Sequence, residues 1–316
     1  MNDDKLDLII FMNSCGPNTM PENFNDAITS IRENIGESID YKFYFATDNS
    51  KIKELINVLF KDTQDSILEL KYFDGTAPDT WAKIFNDFVD NNLDKTKYVL
   101  VSHDDVLIKT PDFFKKTLKH IEGKEEKVGW ICYNCTYDDK FIFLEGLPSS
   151  GGPGFAPDRH TFPYISQYHN FADKRHLPIR ENMHLLDYPE PKPVKVHSVP
   201  MEFCLISSDS LKKVGHSGNW TAYTLLVTED LSLSALKNNL HNIWIPDIDY
   251  IHPLRWRQRV QPDILYREQA HSGFRNKWGF EYPYSDETLR IVKEKYPDTL
   301  MWYSSLRNTY DWDYLE

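Results

Sequence analysis

Leu6 to Met12 is a short, nearly unbroken apolar run with the character of a strand. Phe24, Ile28, Ile31 and Ile35 then recur at helical spacing from Pro21 onward, and Gly36 closes the stretch. Tyr41 to Ala46 alternates aromatic and polar positions as a strand does, after which Ile52, Leu55, Ile56 and Leu59 line one helical face. Ile67 to Phe73 reads as a third strand. Trp81, Ile84, Phe85, Phe88 and Val89 give the clearest helix, at i, i+3, i+4, i+7 and i+8. Tyr98 to Val101 is a fourth, buried strand. Thr110-Pro111 opens a further helix with Phe114, Leu118 and Ile121 inward and Gly123 as its stop, and Val128 to Tyr133 is a fifth strand.

Strand and helix alternate through residue 133, which predicts an α/β fold with a mostly parallel sheet and helices on both faces. From 134 to 198 the pattern fails. The segment holds Ser149-Ser-Gly-Gly-Pro-Gly154 and many Pro, His and Tyr residues, and reads as a long insert of the kind that forms a lid or a binding element. Periodicity returns at Met201 to Ser207 (strand), Asp230 to Leu240 (helix) and Ile243 to Ile251 (strand, interrupted by Pro246). The tail from His252 is rich in Arg, Trp and Tyr. It predicts a helix over Asp286 to Lys295, with Ser285 as N-cap and Pro297 beyond its end.

Charge narrows the partners. The 316 residues carry 36 Lys and Arg against 48 Asp and Glu, a formal net charge of −12. Such a chain is unsuited to wrapping a nucleic-acid backbone, although a nucleotide held locally through a cation is compatible with it. The aromatic content, 18 Tyr, 18 Phe and 8 Trp, suits core packing first and stacking on sugars or bases second. No apolar run is long enough to span a membrane, and no basic leader precedes Leu8 to Met12, so the expectation is a cytoplasmic location. Four cysteines are too few for a disulfide scaffold, and Cys132-x-x-Cys135 has no second pair at zinc spacing.

In open parallel sheets ligands bind beyond the carboxyl ends of the strands. Asn13-Ser-Cys15 follows the first strand, Thr47-Asp-Asn-Ser50 the second and Ser102-His-Asp-Asp105 the fourth. Neither GxGxxG nor GxxxxGK[ST] stands at these turns, which disfavours a dinucleotide dehydrogenase and a P-loop nucleotidase. Asp104 and Asp105 either cap a turn or hold a divalent cation. Two such charges at about 4 Å repel by about 4 kcal/mol at an effective dielectric of about 20. A cation bridging carboxylate and phosphate oxygens removes that conflict. Asp230 in Thr228-Glu-Asp230 is either a plain helix cap or a carboxylate able to take a proton from a hydroxyl. His252 is either a hydrogen-bonded core residue or a metal ligand that shifts preference from Mg²⁺ to Mn²⁺.

With these pieces in this order, the sequence resembles the GT-A-fold glycosyltransferases, most closely those of family two. The resemblance runs over about residues 5 to 255. It rests on Leu8-Ile-Ile-Phe-Met-Asn13, Phe45-Ala-Thr-Asp-Asn-Ser50, Tyr98 to Ile108 as the DxD segment, Met201 to Gly215, Thr228-Glu-Asp230 as an xED motif, and His252. It implies a GT-A-type, Rossmann-like sheet whose residues 1–133 take a nucleotide sugar, with an acceptor-side insert over 134–198 and an acceptor half over 199–255. An aromatic and basic extension, 256–316, packs on the same domain. It also implies a UDP- or GDP-sugar donor, Mn²⁺ or Mg²⁺, a glycan or other hydroxyl acceptor, and inversion at the transferred sugar. Asn13, Asp48 and Asp104 would lie on the donor, with Arg255 and Arg257 on its diphosphate. Asp105, His252 and His103 would lie at the metal, Asp230 would be the general base and Glu229 would orient the acceptor. His103 stands where the first Asp of DxD belongs, and the Arg255-Trp-Arg-Gln-Arg259 order differs from the QxxRW of processive synthases. A non-catalytic nucleotide- or glycan-binding relative is the competing expectation. A nucleotidyltransferase is disfavoured by the absence of a Gly-rich basic loop after the first strand.

Overall fold

The computed structural model describes residues 5–15, 20–74, 81–136, 193–196, 199, 201–220, 226–251 and 264–280. Its elements are β1 (Leu6–Ser14), α1 (Pro21–Asn34), β2 (Tyr41–Thr47), α2 (Ser50–Leu59), β3 (Ile67–Tyr72), α3 (Trp81–Asn92), β4 (Thr96–Ser102), β5 (Leu107–Ile108) and α4 (Phe113–Ile121). There follow β6 (Val128–Thr136), β7 (Val194–Val196), β8 (Phe203–Ser207), α5 (Ser208–Val214), α6 (Val227–Lys237), β9 (His241–Ile251) and α7 (Ile264–Trp278).

These strands form one nine-stranded sheet in the order β3-β2-β1-β4-β8-β6-β9-β5, with β7 pairing β9. β1, β2, β3, β4, β6 and β9 run one way; β5, β7 and β8 run against them. The sheet is therefore mostly parallel, with β8 inserted antiparallel between β4 and β6. β9 passes through Pro246, but its register against β6 jumps there, from Tyr133↔Ile245 to Asn134↔Asp249. A residue without an N–H cannot continue the ladder, so the strand bulges.

The continuous apolar run of β1 follows from burial on both faces. Ile9 and Phe11 join Tyr44, Val99, Val101, Trp130, Cys204 and Ile206 in the core under α3, α5 and α6. Leu8, Ile10 and Met12 join Phe43, Phe45, Leu100, Ile131 and Leu205 in the opposite core under α1, α2 and α4. Alternate residues of each strand serve alternate cores, the period of two expected of a pleated strand. Phe11 is fully buried against Tyr44, Trp81, Phe85 and Phe88, with ring centroids 5.0–5.7 Å apart. Burial of such a side chain contributes about 1.5–3 kcal/mol.

The boundaries depart from expectation in three places. α4 begins at Phe113, because Asp112 adopts a left-handed conformation (φ 57°) just after Pro111. α6 begins at Val227 rather than Asp230, which places Asp230 inside the first turn, behind a left-handed Leu226 (φ 63°). The tail contains α7 at Ile264–Trp278, a helix that the polar, glycine-containing pattern did not predict. The expected helix over Asp286 to Lys295 lies outside the described residues, as does 137–192 of the insert expected over 134–198; within that insert the end of β6, to Thr136, and β7 are strand.

Candidate active site

Parallel register assembles one edge of the sheet. Ser14 pairs with Thr47, and Met12 pairs with Ser102, so the residues after β1, β2 and β4 emerge side by side. The Thr47 hydroxyl fastens two of these ends, donating to the Ser14 carbonyl at 3.0 Å and accepting the Asn49 N–H at 3.1 Å. Asn49 then caps α2 by accepting the Lys51 N–H at 3.0 Å. On β1, the Asn13 side-chain Oδ1 accepts the Cys15 backbone N–H at 3.2 Å.

The Cys15 thiol reports what gathers there. Burial, and then the negative charges of Asp48 and Asp104, push it up to about 12, although the Asp48 backbone works in the opposite direction. Such an effect is short-ranged, in keeping with the register that sets Asp48 and Asp104, from the ends of two different strands, beside the tip of β1. Asp104 and Asp105 are 6% and 5% exposed and occupy the turn between β4 and β5.

The structure thus brings Asn13, Asp48, His103, Asp104 and Asp105 to one edge. β9 ends at Ile251 opposite Leu107, two residues after Asp105. The next residue, His252, lies outside the described residues, and so do Arg255 and Arg257. Among the described residues no set of three or more His, Cys, Asp and Glu is placed to hold a metal. Two adjacent buried carboxylates nevertheless offer the hard oxygen donors that Mg²⁺ and Mn²⁺ take, and this donor chemistry fits such a cation.

Glu202, beside His103, is a further acid that the sequence pattern did not bring forward. It is 5% exposed in the turn entering β8; its carbonyl accepts the His103 N–H at 2.7 Å, and its carboxylate accepts the Tyr250 hydroxyl at 3.3 Å. Burial, then Cys204 and the charge of Glu202, hold Cys132 well above the ordinary thiol range, and burial and then Glu202 do the same to Cys204. These cysteines are protonated packing residues. The signal for Glu202 was a lone acid within the apolar stretch Val199 to Ile206.

Asp230 has an unexpected environment. It is wholly buried in the first turn of α6, where free N–H groups and the helix dipole favour a carboxylate. Its Oδ1 accepts the Trp278 Nε1–H at 2.8 Å and the Lys277 ammonium at 2.7 Å. Its Oδ2 accepts the Gly218 N–H at 2.6 Å and Lys277 at 2.9 Å. Glu229, its neighbour, is half-buried. Sequence reasoning missed Lys277 and Trp278. The spacing Ala270, Gly273, Phe274, Lys277 and Trp278 carried the signal, since it sets one face of a helix.

That face has its own small core. Ala270, Phe274, Trp278 and Phe280 pack with Leu226, Leu233 and Leu236, and Trp220 lies against them. Trp220 occupies a slot between two glycines. A Cβ on Gly273 would stand 2.8 Å from Trp220 Cβ and Cγ, and one on Gly218 would stand 2.0 Å from its ring.

No family model matches the chain, and no curated protein matches it by sequence. Solved structures do match. GalNAc-T7 with UDP, GalNAc and Mn²⁺ aligns at a TM-score of 0.56 and 10% identity, over 97% of this chain and 50% of that one. S. aureus TarS 1–349 in complex with UDP-GlcNAc aligns at 0.53 and 10%, over 92% and 71%. The mannosyltransferase PcManGT from Pyrobaculum calidifontis, in complex with GDP-Man and Mn²⁺, aligns at 0.52 and 11%, over 96% and 71%. The fold is that of the GT-A-type glycosyltransferases. The chain spans half the length of the GalNAc-T7 chain and 37% of the longer TarS chain. Among the described residues of this GT-A-type chain, no helix is long and apolar enough to cross a membrane.

Proposed function

We propose that the protein is a metal-dependent glycosyltransferase that moves a sugar from a UDP- or GDP-sugar to a hydroxyl of a glycan or similar acceptor, with inversion. The observation that carries this reading is the parallel register that brings the ends of β1, β2 and β4, with Asn13, Asp48 and Asp104, to one edge of the sheet. On this fold that edge suits the base, ribose and diphosphate of a donor. Asp105 and Asp104, with His103 and His252, would hold Mn²⁺ or Mg²⁺, which would neutralise the leaving diphosphate. Arg255 and Arg257 would add charge-assisted contacts to the same phosphates.

On the acceptor side, Asp230 takes the proton of the attacking hydroxyl while Glu229 orients the acceptor. The hydroxyl oxygen bonds to the anomeric carbon as the bond from that carbon to the β-phosphate oxygen breaks, and the nucleoside diphosphate leaves. One observation favours the competing reading of a binding relative without turnover: both oxygens of Asp230 are engaged by Lys277, Trp278 and Gly218.

The test is calorimetric titration and nucleoside diphosphate release with a panel of UDP- and GDP-sugars, with and without Mn²⁺. The enzyme reading expects Mn²⁺-dependent binding that Asp105→Ala removes. It also expects turnover that Asp230→Asn lowers by about 10²-fold or more while donor affinity is kept. Donor binding that is indifferent to Mn²⁺ and to Asp105→Ala would overturn the metal assignment. Binding without turnover in the presence of candidate glycan acceptors would favour the binding relative.

A further inference from the structure

A carboxylate offers about four acceptor positions. Asp230 fills them with two contacts from Lys277 and one each from Trp278 and Gly218, at 2.6–2.9 Å. An acceptor hydroxyl can therefore bond to Asp230 only by replacing one of these donors. The Gly218 N–H is fixed by the backbone, and the Trp278 indole is locked in the core that joins α7 to α6. Lys277 differs from both. Its side chain is 34% exposed while Asp230 is 0% exposed, and its ammonium ends a flexible four-carbon stem.

The seating of α7 is a built feature. Gly273 lies in the interior of the helix, where glycine costs about 1 kcal/mol relative to alanine. The close approach of Trp220 accounts for it, because a Cβ there would meet Trp220 Cβ and Cγ at 2.8 Å. Seated in this way, α7 delivers Lys277 and Trp278 to Asp230 from a single turn. Just before α6, Leu226 packs with the α7 residues and holds a left-handed conformation (φ 63°). Such a conformation costs a branched residue about 1–3 kcal/mol and collects at functional sites.

We infer that Lys277 and Trp278 are positioning residues for Asp230. Lys277 on both oxygens, with Trp278 and Gly218, sets the plane of the carboxylate, and Lys277 also holds the place that the acceptor hydroxyl takes. This rests on the proposed role of Asp230 as the base. It makes α7, rather than the sheet, the element that aims that base.

The test uses the full chain, Mn²⁺ and whichever UDP- or GDP-sugar gives the largest thermal shift. It follows nucleoside diphosphate release together with hydrogen exchange at the Gly218 amide. Lys277→Met should lower kcat about tenfold or more and leave the donor KM within about twofold. It should also speed Gly218 exchange by about tenfold, as the freed carboxylate turns. Lys277→Arg should recover most of the rate. In an Asp230→Asn background Lys277→Met should cost nothing more, because residues that act through one another are not additive. Trp278→Phe keeps an aromatic ring and removes the N–H, and should lower kcat in the same way should Lys277→Met fail to fold. A Lys277→Met protein with normal kcat and normal Gly218 exchange overturns the inference, as does a loss that adds in full to that of Asp230→Asn. Wild-type turnover in Asp230→Asn alone is a different result: it removes the base and the inference with it.

Discussion

Replacing Gly273 by alanine sets two effects of known size against each other. In an unconstrained helix the change stabilises by about 1 kcal/mol. Here the new methyl would stand 2.8 Å from Trp220 Cβ and Cγ and 2.9 Å from Cδ2. Those atoms are the stem of the side chain, not a free end. The ring cannot retreat toward Gly218, where it already fills the space of a side chain. Overpacking of this kind costs about 1–3 kcal/mol. With contact at three atoms the upper half of that range applies, and the net effect is a loss of about 1–2 kcal/mol. For a chain of this size that lowers Tm by about 2–4 °C in differential scanning calorimetry. Locally, amides near Arg275 and Gly279 at the end of α7 should exchange about tenfold faster. A rise in Tm, or tighter protection of α7, would be the behaviour of an ordinary helix glycine. Either would show that Trp220 does not occupy the slot and that Lys277 is not seated on Asp230 in this way.

Three further outcomes are expected. Buried Asn242 accepts the Trp130 backbone N–H at 3.1 Å and donates to the Ser232 carbonyl at 3.0 Å, so Asn242→Leu strands two groups and should cost about 2–5 kcal/mol in a denaturant titration; a loss below about 1 kcal/mol would contradict it. Phe11→Ala should cost about 3–5 kcal/mol by the same method, because the ring is wholly buried among four others. The Cys15 thiol, pushed up to about 12 by burial and by Asp48 and Asp104, should react with iodoacetamide about a thousandfold more slowly at pH 8 than an ordinary thiol. The rate should climb about tenfold per pH unit toward pH 12, and Asp48→Asn should raise it; a plateau below pH 10 would refute the clustering of charge.

Much of the sheet was legible because its strands obey local rules. Leu8 to Met12 read as a buried strand, since a run apolar at every position needs a core on each side, and both cores are present. Candidate residues at the ends of β1, β2 and β4 followed from polarity immediately after each run, and parallel register carried Asn13, Asp48 and His103 to one edge. The direction of β8 was not legible, because Phe203 to Ser207 shows the same pattern whether it runs with β4 or against it. α7 was hidden for a physical reason. Gly273 reads as a helix breaker until the ring of Trp220 is set beside it, and that contact spans more than fifty residues. The surroundings of Asp230 depend on the same contact, so a motif of three residues pointed to the carboxylate but not to its partners.

The placement of β8 bears on how the chain is made. β4 ends at Ser102, and the strand that covers its open side begins only at Phe203. At a synthesis rate of about 5–20 residues per second, Val99 to Val101 wait roughly 5–20 seconds on the ribosome with one row of peptide groups unmatched. A nascent sheet with such a border invites strands from neighbouring chains. The yield of soluble protein should therefore depend on how crowded and how fast translation is, and a separately supplied peptide carrying Phe203 to Ser207 should bind the truncated N-terminal half.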